Sequence, residues 1–168
     1  MRPIFQVTGY KNSGKTTVIE DLSRFGKDSG DRVAVIKHHP HTDPLQPLAA
    51  DNDSERIFNS GASVSSVISP RGIHIHTEEE ILLEQMIQWY ELYDPDLILI
   101  EGYKEKNYPK AVILKEEADQ ELLMLSNIQL VITWGNVDTS QISCPVIEMA
   151  HLHKDLPMIY SAAKEERE

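Results

Sequence analysis

Short apolar runs alternate with longer amphipathic stretches along most of this chain. Residues 4–8 read as a first strand, and 15–27 as a helix carrying Val18, Ile19, Leu22 and Phe25 on one face. A turn at Gly30-Asp31 leads into a second strand at 32–37. The run Leu97-Ile98-Leu99-Ile100 is apolar at every position, as expected of a strand buried on both faces of a parallel sheet. Further strands are expected at 111–114, 130–133 and 145–147. Strands separated by helical patterns predict an α/β domain with a mainly parallel sheet.

One stretch breaks the alternation. Val64, Val67, Ile68, Ile73 and Ile75 flank the turn sequence Ser69-Pro70-Arg71-Gly72, which predicts an inserted β-hairpin over 62–76. His74 and His76 alternate with the isoleucines and are expected on its solvent face. Between the second strand and the hairpin lie a proline-bearing loop (Pro40, Pro44, Pro47) and a short helix at about 53–59. After it, Thr77-Glu78-Glu79-Glu80 matches a capping box, opening a helix with Leu82, Met86, Trp89 and Tyr93 on one face. The expected organisation is one domain over 1–160 and a charged tail over 161–168.

Charge then narrows the partners. The chain has 168 residues, 27 acids against 16 bases and a net charge of −11. A protein that neutralises nucleic-acid phosphates needs a basic face, so nucleic-acid binding is not expected. No apolar run approaches the roughly 20 residues that cross a bilayer, and the first residues resemble no leader peptide, so no membrane contact and a cytoplasmic location are expected. Cys144 is the single cysteine, which excludes an internal disulfide or a multi-cysteine zinc site.

The candidate chemistry begins at the first strand's end. Gly9-Tyr10-Lys11-Asn12-Ser13-Gly14-Lys15-Thr16 fits G-x-x-x-x-G-K-[ST] at every fixed position, between a strand and a helix. Glycines at 9 and 14 allow backbone angles that turn successive N–H groups inward around a phosphate. Lys15 reaches the β- and γ-phosphates as the catalytic cation, and Thr16 offers a hydroxyl to Mg²⁺. The motif makes the expected architecture a three-layer P-loop NTPase fold.

A phosphate loop also needs a carboxylate at the end of a neighbouring strand for the metal. Glu101, directly after Leu97–Ile100, is placed for it, although it also reads simply as the first exposed residue beyond a buried strand. Lys37, His38 and His39 leave the second strand where open α/β sheets bind ligands. Adjacent strand residues point to opposite faces, so His38 and His39 do not readily share a metal, and a substrate- or partner-contacting loop is preferred. Asp43 stands where nucleotide switches place a γ-phosphate sensor. Asn136 and Asp138 follow a late strand, as guanine-reading residues do, but lack the full Asn-Lys-x-Asp sequence, and Asp138 reads equally as a turn residue.

Taken in order, the N-terminal phosphate loop, Val35-Ile36-Lys37-His38-His39, Asp53-Ser54-x-Arg56 with Ser60-Gly61-Ala62, and Leu99-Ile100-Glu101-Gly102-Tyr103-Lys104 resemble the molybdopterin-guanine dinucleotide biosynthesis protein B family. The resemblance covers roughly residues 3–150. It implies a GTP- and Mg²⁺-binding accessory protein with weak GTPase activity in molybdenum cofactor maturation, in which Gly9 to Thr17 would hold the phosphates and Glu101 the magnesium. Its partners would be a guanylyltransferase and molybdopterin. It also implies a homodimer, for which the hairpin at 62–76 offers unpaired strand edges. Tyr10 stands where many relatives in the wider class carry a second lysine, and Asp51-Asn52-Asp53 replaces an expected Gly-Lys-Asp. Two other classes share the scaffold: an ATP-using small-molecule kinase or ligase-like enzyme, and a metallochaperone GTPase using the histidine loop.

Overall fold

The computed structural model describes residues 2–39 and 52–165, in two compact units: Met1–His39 with Ile87–Glu168, and Pro40–Met86. The larger unit is built on a sheet of six parallel strands. These are β1 (Ile4–Gly9), β2 (Val33–Lys37), β5 (Leu97–Glu101), β6 (Lys110–Leu114), β7 (Ile128–Thr133) and β8 (Val146–Glu148), in the order β2-β5-β1-β6-β7-β8. Every strand expected from the apolar runs is present. The central strands β5 and β6 are buried at all five positions, which is why Leu97–Ile100 and Ala111–Leu114 read as unbroken rather than alternating, with one buried charged residue at an end of each strand, Glu101 and Lys110.

Helices α1 (Lys15–Asp28) and α4 (Leu152–Lys164) cover one sheet face. There Phe5, Val7, Leu97, Leu99, Ile113 and Ile132 meet Val18, Leu22, Leu156 and Ile159 in one apolar cluster. The opposite face is lined by Val112, Leu114 and Val131, with Leu122 from a 3₁₀ segment (Glu117–Met124) packed on them. Asp119 ties that segment down by accepting from the backbone N–H groups of Lys115 (2.7 Å) and Glu116 (3.1 Å). Neither α4 nor the 3₁₀ segment is in the sequence reading. The signal for α4 is plain in retrospect, since Leu152, Leu156, Ile159, Tyr160 and Ala163 are spaced to share one helix face. Pro157 inside the helix obscures it. Residues 161–164 belong to its last turn.

The described part of the smaller unit contains α2 (Asn52–Asn59) and an antiparallel hairpin of β3 (Val64–Ser69) and β4 (Gly72–Thr77). Register pairs Ser65 with His76 and Val67 with His74. The expected orientation is reversed: the histidine face is the covered one. Phe58 of α2 lies with its ring 5.8 Å from that of His76, while Val64, Ile68 and Ile73 stand exposed at 63%, 77% and 43%. Alternation alone specifies two faces of a strand and leaves open which one a neighbouring helix covers.

The expected capping box is also corrected. Thr77 ends β4, and its hydroxyl donates to the carbonyl of Glu79 at 2.7 Å. Helix α3 starts later (Leu83–Glu91), where the Gln85 side-chain oxygen accepts from the Leu82 N–H at 2.8 Å. The shift changes the buried stripe, which is Leu83 and Ile87; Leu82, Trp89 and Tyr93 are exposed.

Candidate functional site

The first turn of α1 rises from the carboxyl end of β1, so its opening residues stand over the ends of the neighbouring strands. Register sets Lys37 of β2 directly beside Glu101 of β5. Lys37 follows Val33 and Val35, and Glu101 follows Leu97 and Leu99, on the face that α1 covers. Both side chains therefore converge on Thr16. The Thr16 hydroxyl lies 3.1 Å from Glu101 Oε2 and 3.3 Å from Oε1. Lys37 Nζ completes the group, 3.1 Å from Glu101 Oε1 and 3.2 Å from Thr16 Oγ1. The Glu101 side chain is 8% exposed and that of Lys37 is 57% exposed.

The loop between β1 and α1 has the backbone its sequence demands, with one reassignment. Asn12 (φ 60°) and Gly14 (φ 103°) adopt the left-handed conformation, the kind of alternation that turns neighbouring N–H groups to one side. Gly9 has no positive φ. It is needed for space, because a Cβ there would sit 2.6 Å from Ser13 Oγ and 3.1 Å from the Ile113 carbonyl. Lys15 folds back over the loop and donates to the Tyr10 carbonyl at 2.7 Å. Burial lowers the Lys15 pKa; Glu101 opposes that shift and the nearby Lys37 ammonium adds to it.

A cleft of about 480 Å³ opens here, lined by Lys11, Asn12, Gly14, Lys15, Thr16, Thr17, Lys37, Glu101 and Trp134. Most of the predicted phosphate-loop residues thus meet the predicted metal-site residue in one concavity. Tyr10 turns away: its hydroxyl bonds Glu121, and Lys104 Nζ lies 5.0 Å above its ring. His38 stacks on Tyr103 (4.1 Å between centroids, 23° between planes) and His39 is exposed, so only Lys37 of that trio enters the cleft. Asn136 and Asp138 do not line it. Asp138 Oδ1 accepts from the Ser140 N–H at 2.9 Å in a local turn, and that bond lowers its pKa. Asp43 lies outside the described residues. Among the described residues no group of three or more His, Cys, Asp or Glu side chains is arranged to hold a metal ion, and no helix is long and apolar enough to cross a membrane.

Two residues at the site escape the motif. Trp134 donates from Nε1 to the Ser13 carbonyl at 2.9 Å and, with Met149, lies against Gly14. Gln6, buried in β1, donates to the carbonyls of Gly102 (2.5 Å) and Tyr103 (2.6 Å), pinning the chain just beyond Glu101. A long carboxamide side chain in the middle of a buried strand was the available signal for Gln6.

The oxygens present suit magnesium. Adjacent ligands of an octahedral Mg²⁺ with bonds of about 2.1 Å stand about 3.0 Å apart, close to the Thr16–Glu101 separation of 3.1 Å. A hydroxyl and a carboxylate are hard oxygen donors, and the loop's cation and left-handed turns beside them suit a polyphosphate.

A first parallel strand running into this loop, a helix rising from its lysine, and a carboxylate ending the next strand define a P-loop NTPase-like protein. Residues 4–134 match the model of the family "Molybdopterin guanine dinucleotide synthesis protein B" (MobB), and the chain belongs to that family. It is 37% identical over 130 residues to a probable molybdopterin-guanine dinucleotide biosynthesis adapter protein of Bacillus subtilis, covering 77% of this chain and 75% of that protein. It is 32% identical to the Haemophilus influenzae adapter protein of the same description, covering 71% and 67%. The crystal structure of Bacillus subtilis MobB superposes with a TM-score of 0.82 at 31% identity, covering 98% of this chain and 99% of that one. The MobB homolog from Bacillus stearothermophilus gives 0.77 at 28%, covering 96% and 98%.

Proposed function

We propose that this adapter-family protein binds GTP with Mg²⁺, turns it over slowly, and uses the bound state to assist a guanylyltransferase acting on molybdopterin. The observation that carries the reading is the meeting of Thr16, Glu101 and Lys15 in one cleft at the end of the phosphate loop. In this reading the turn from Gly9 to Thr17 holds the phosphates and Lys15 carries the charge of the β- and γ-groups. Thr16 and Glu101 hold the metal, which supplies charge neutralisation at the phosphates. Asp43 senses the terminal phosphate, Asn136 and Asp138 select guanine, and His38 and His39 face the pterin-bearing partner.

The exposed Val64, Ile68 and Ile73 on the hairpin support contact with a second copy of the chain, since exposed apolar strand faces favour association. The relatives' descriptions as adapters support a partner-dependent role over independent catalysis.

Titration with GTP, ATP and GDP, with and without Mg²⁺, tests the nucleotide assignment. GTP is expected to bind, Lys15→Ala to abolish triphosphate binding with the fold retained, and Glu101→Gln to weaken Mg²⁺-dependent binding far more than metal-free binding. Equal losses in the two arms would remove Glu101 from the metal. One observation favours a second reading, an ATP-using enzyme on the same scaffold: Asp138 is engaged in its own turn and does not line the cleft. ATP binding at least about tenfold tighter than GTP, a difference of about 1.4 kcal/mol, would replace the first reading with the second.

A further inference from the structure

The Lys37 ammonium holds Thr16 Oγ1, which the proposed metal would take, and the second oxygen of the same Glu101 carboxylate. It is 3.1 Å from Glu101 Oε1 and 3.2 Å from Thr16 Oγ1, on a side chain that is more than half exposed. Glu101 is almost fully buried, and a buried carboxylate needs a cation or strong donors beside it. Lys37 provides that cation within the chain. A divalent ion seated between Thr16 Oγ1 and Glu101 Oε2 would compete with the ammonium for the hydroxyl and stand against it as a like charge at close range, which drives the ammonium out.

We infer that Lys37 is an exchangeable stand-in for the divalent cation: it neutralises Glu101 until the metal arrives, and metal binding releases it into the cleft. The inference deepens the nucleotide-binding reading by assigning a regulatory exchange to the same site. The physical requirement is met at both ends. Lys37 lines the cleft together with Lys15 and Thr17, so the released ammonium stays beside the phosphate-binding turn instead of entering an apolar region. Exchange would therefore couple metal arrival to the delivery of a second positive charge to the cleft.

The test uses Mn²⁺ alone as the probe, with the full-length protein and no nucleotide, and reads free Mn²⁺ by its electron paramagnetic resonance signal. Lys37→Met is expected to bind Mn²⁺ about two- to fivefold tighter than wild type, the worth of a partly exposed ion pair expressed as an equilibrium constant. The gain should vanish in Lys37→Met/Glu101→Gln. Lys11→Met, which removes a charge from the same cleft without touching the two oxygens, should give less than half of it. Unchanged or weaker Mn²⁺ binding by a folded Lys37→Met protein overturns the exchange, as does an equal gain in Lys11→Met or no Mn²⁺ binding by either protein. A parallel GTP titration of wild type separates the two ideas: failure there removes the nucleotide reading, while the Mn²⁺ comparison still decides the role of Lys37.

Discussion

The indole of Trp134 is hydrogen-bonded to the carbonyl of Ser13, 121 positions earlier in the chain, at 2.9 Å. The end of β7 thereby braces the phosphate loop. Lys115 strengthens the brace from the side, donating to the Asn12 carbonyl at 3.2 Å with its ammonium 6.0 Å from the indole centroid. Trp134→Phe keeps the packing against Gly14 and removes the donor. Losing one hydrogen bond is worth about 0.5–1.5 kcal/mol, so GTP affinity should fall roughly two- to tenfold. In a Trp89→Phe background Trp134 is the remaining tryptophan, and its fluorescence should shift when Mg²⁺ and GTP are added. An unchanged spectrum at saturating nucleotide would separate Trp134 from the ligand.

Gln6 ties β1 to the segment that follows Glu101, where Gly102 (φ 92°) and Tyr103 (φ 49°) both adopt left-handed backbone. Gln6→Leu keeps the volume and strips the donor from two carbonyls. The cost should be about 1–3 kcal/mol, measured by chemical denaturation. Amide hydrogen exchange should also accelerate from Gly102 to Lys106 ahead of the rest of the sheet. Uniform acceleration throughout would indicate general destabilisation, with no specific anchoring by Gln6.

Asp31 accepts from Lys164 Nζ and from the Tyr160 hydroxyl, each at 2.8 Å, joining the β2 approach to α4. The Lys164 bond, then the Tyr160 bond, lower the Asp31 pKa. A carboxylate depressed in the folded state contributes stability above its unfolded pKa, near about 4, and loses it as pH falls through the folded value. Tyr160 behaves in the opposite sense: burial first, then Asp31, raise its pKa, so its contribution is present below about pH 10 and fades as pH rises beyond. Asp31→Asn should therefore lower the Tm at pH 7 and flatten the loss of stability below pH 4. An acid limb parallel to that of wild type would show that Asp31 does not govern it.

Gly26 lies within α1, where replacing glycine by alanine ordinarily stabilises a helix by about 1 kcal/mol. Here the sign should reverse. A Cβ at this position would press on the Tyr160 hydroxyl and on Val33 Cγ2, and overpacking of this kind costs about 1–3 kcal/mol. Gly26→Ala should unfold at a lower temperature than wild type, while Gly30→Ala, where no atom lies within 4 Å, tests the left-handed backbone (φ 86°) without a clash. A higher Tm for Gly26→Ala would mean that α1 and α4 pack more loosely than they do here.

What the chain determined unaided is local in physical origin. A strand buried on both faces of a sheet is apolar along most of its length, so Leu97–Ile100 of β5 announced itself. The spacing of two glycines, a lysine and a hydroxyl between a strand and a helix was legible too, and residues 9–16 do run from the end of β1 into α1. Glu101 followed from where β5 ends. Only the tertiary structure decided what depends on partners distant in sequence. Parallel register put Lys37 beside Glu101, and α1 brought Thr16 to a carboxylate 85 positions away. Packing on α2 turned the hairpin histidines inward and left Ile68 and Ile73 exposed. Periodicity fixes which residues share a face, but the neighbour a face meets follows from the strand order and helix packing that bury the most apolar surface together, and no short window of sequence contains that choice.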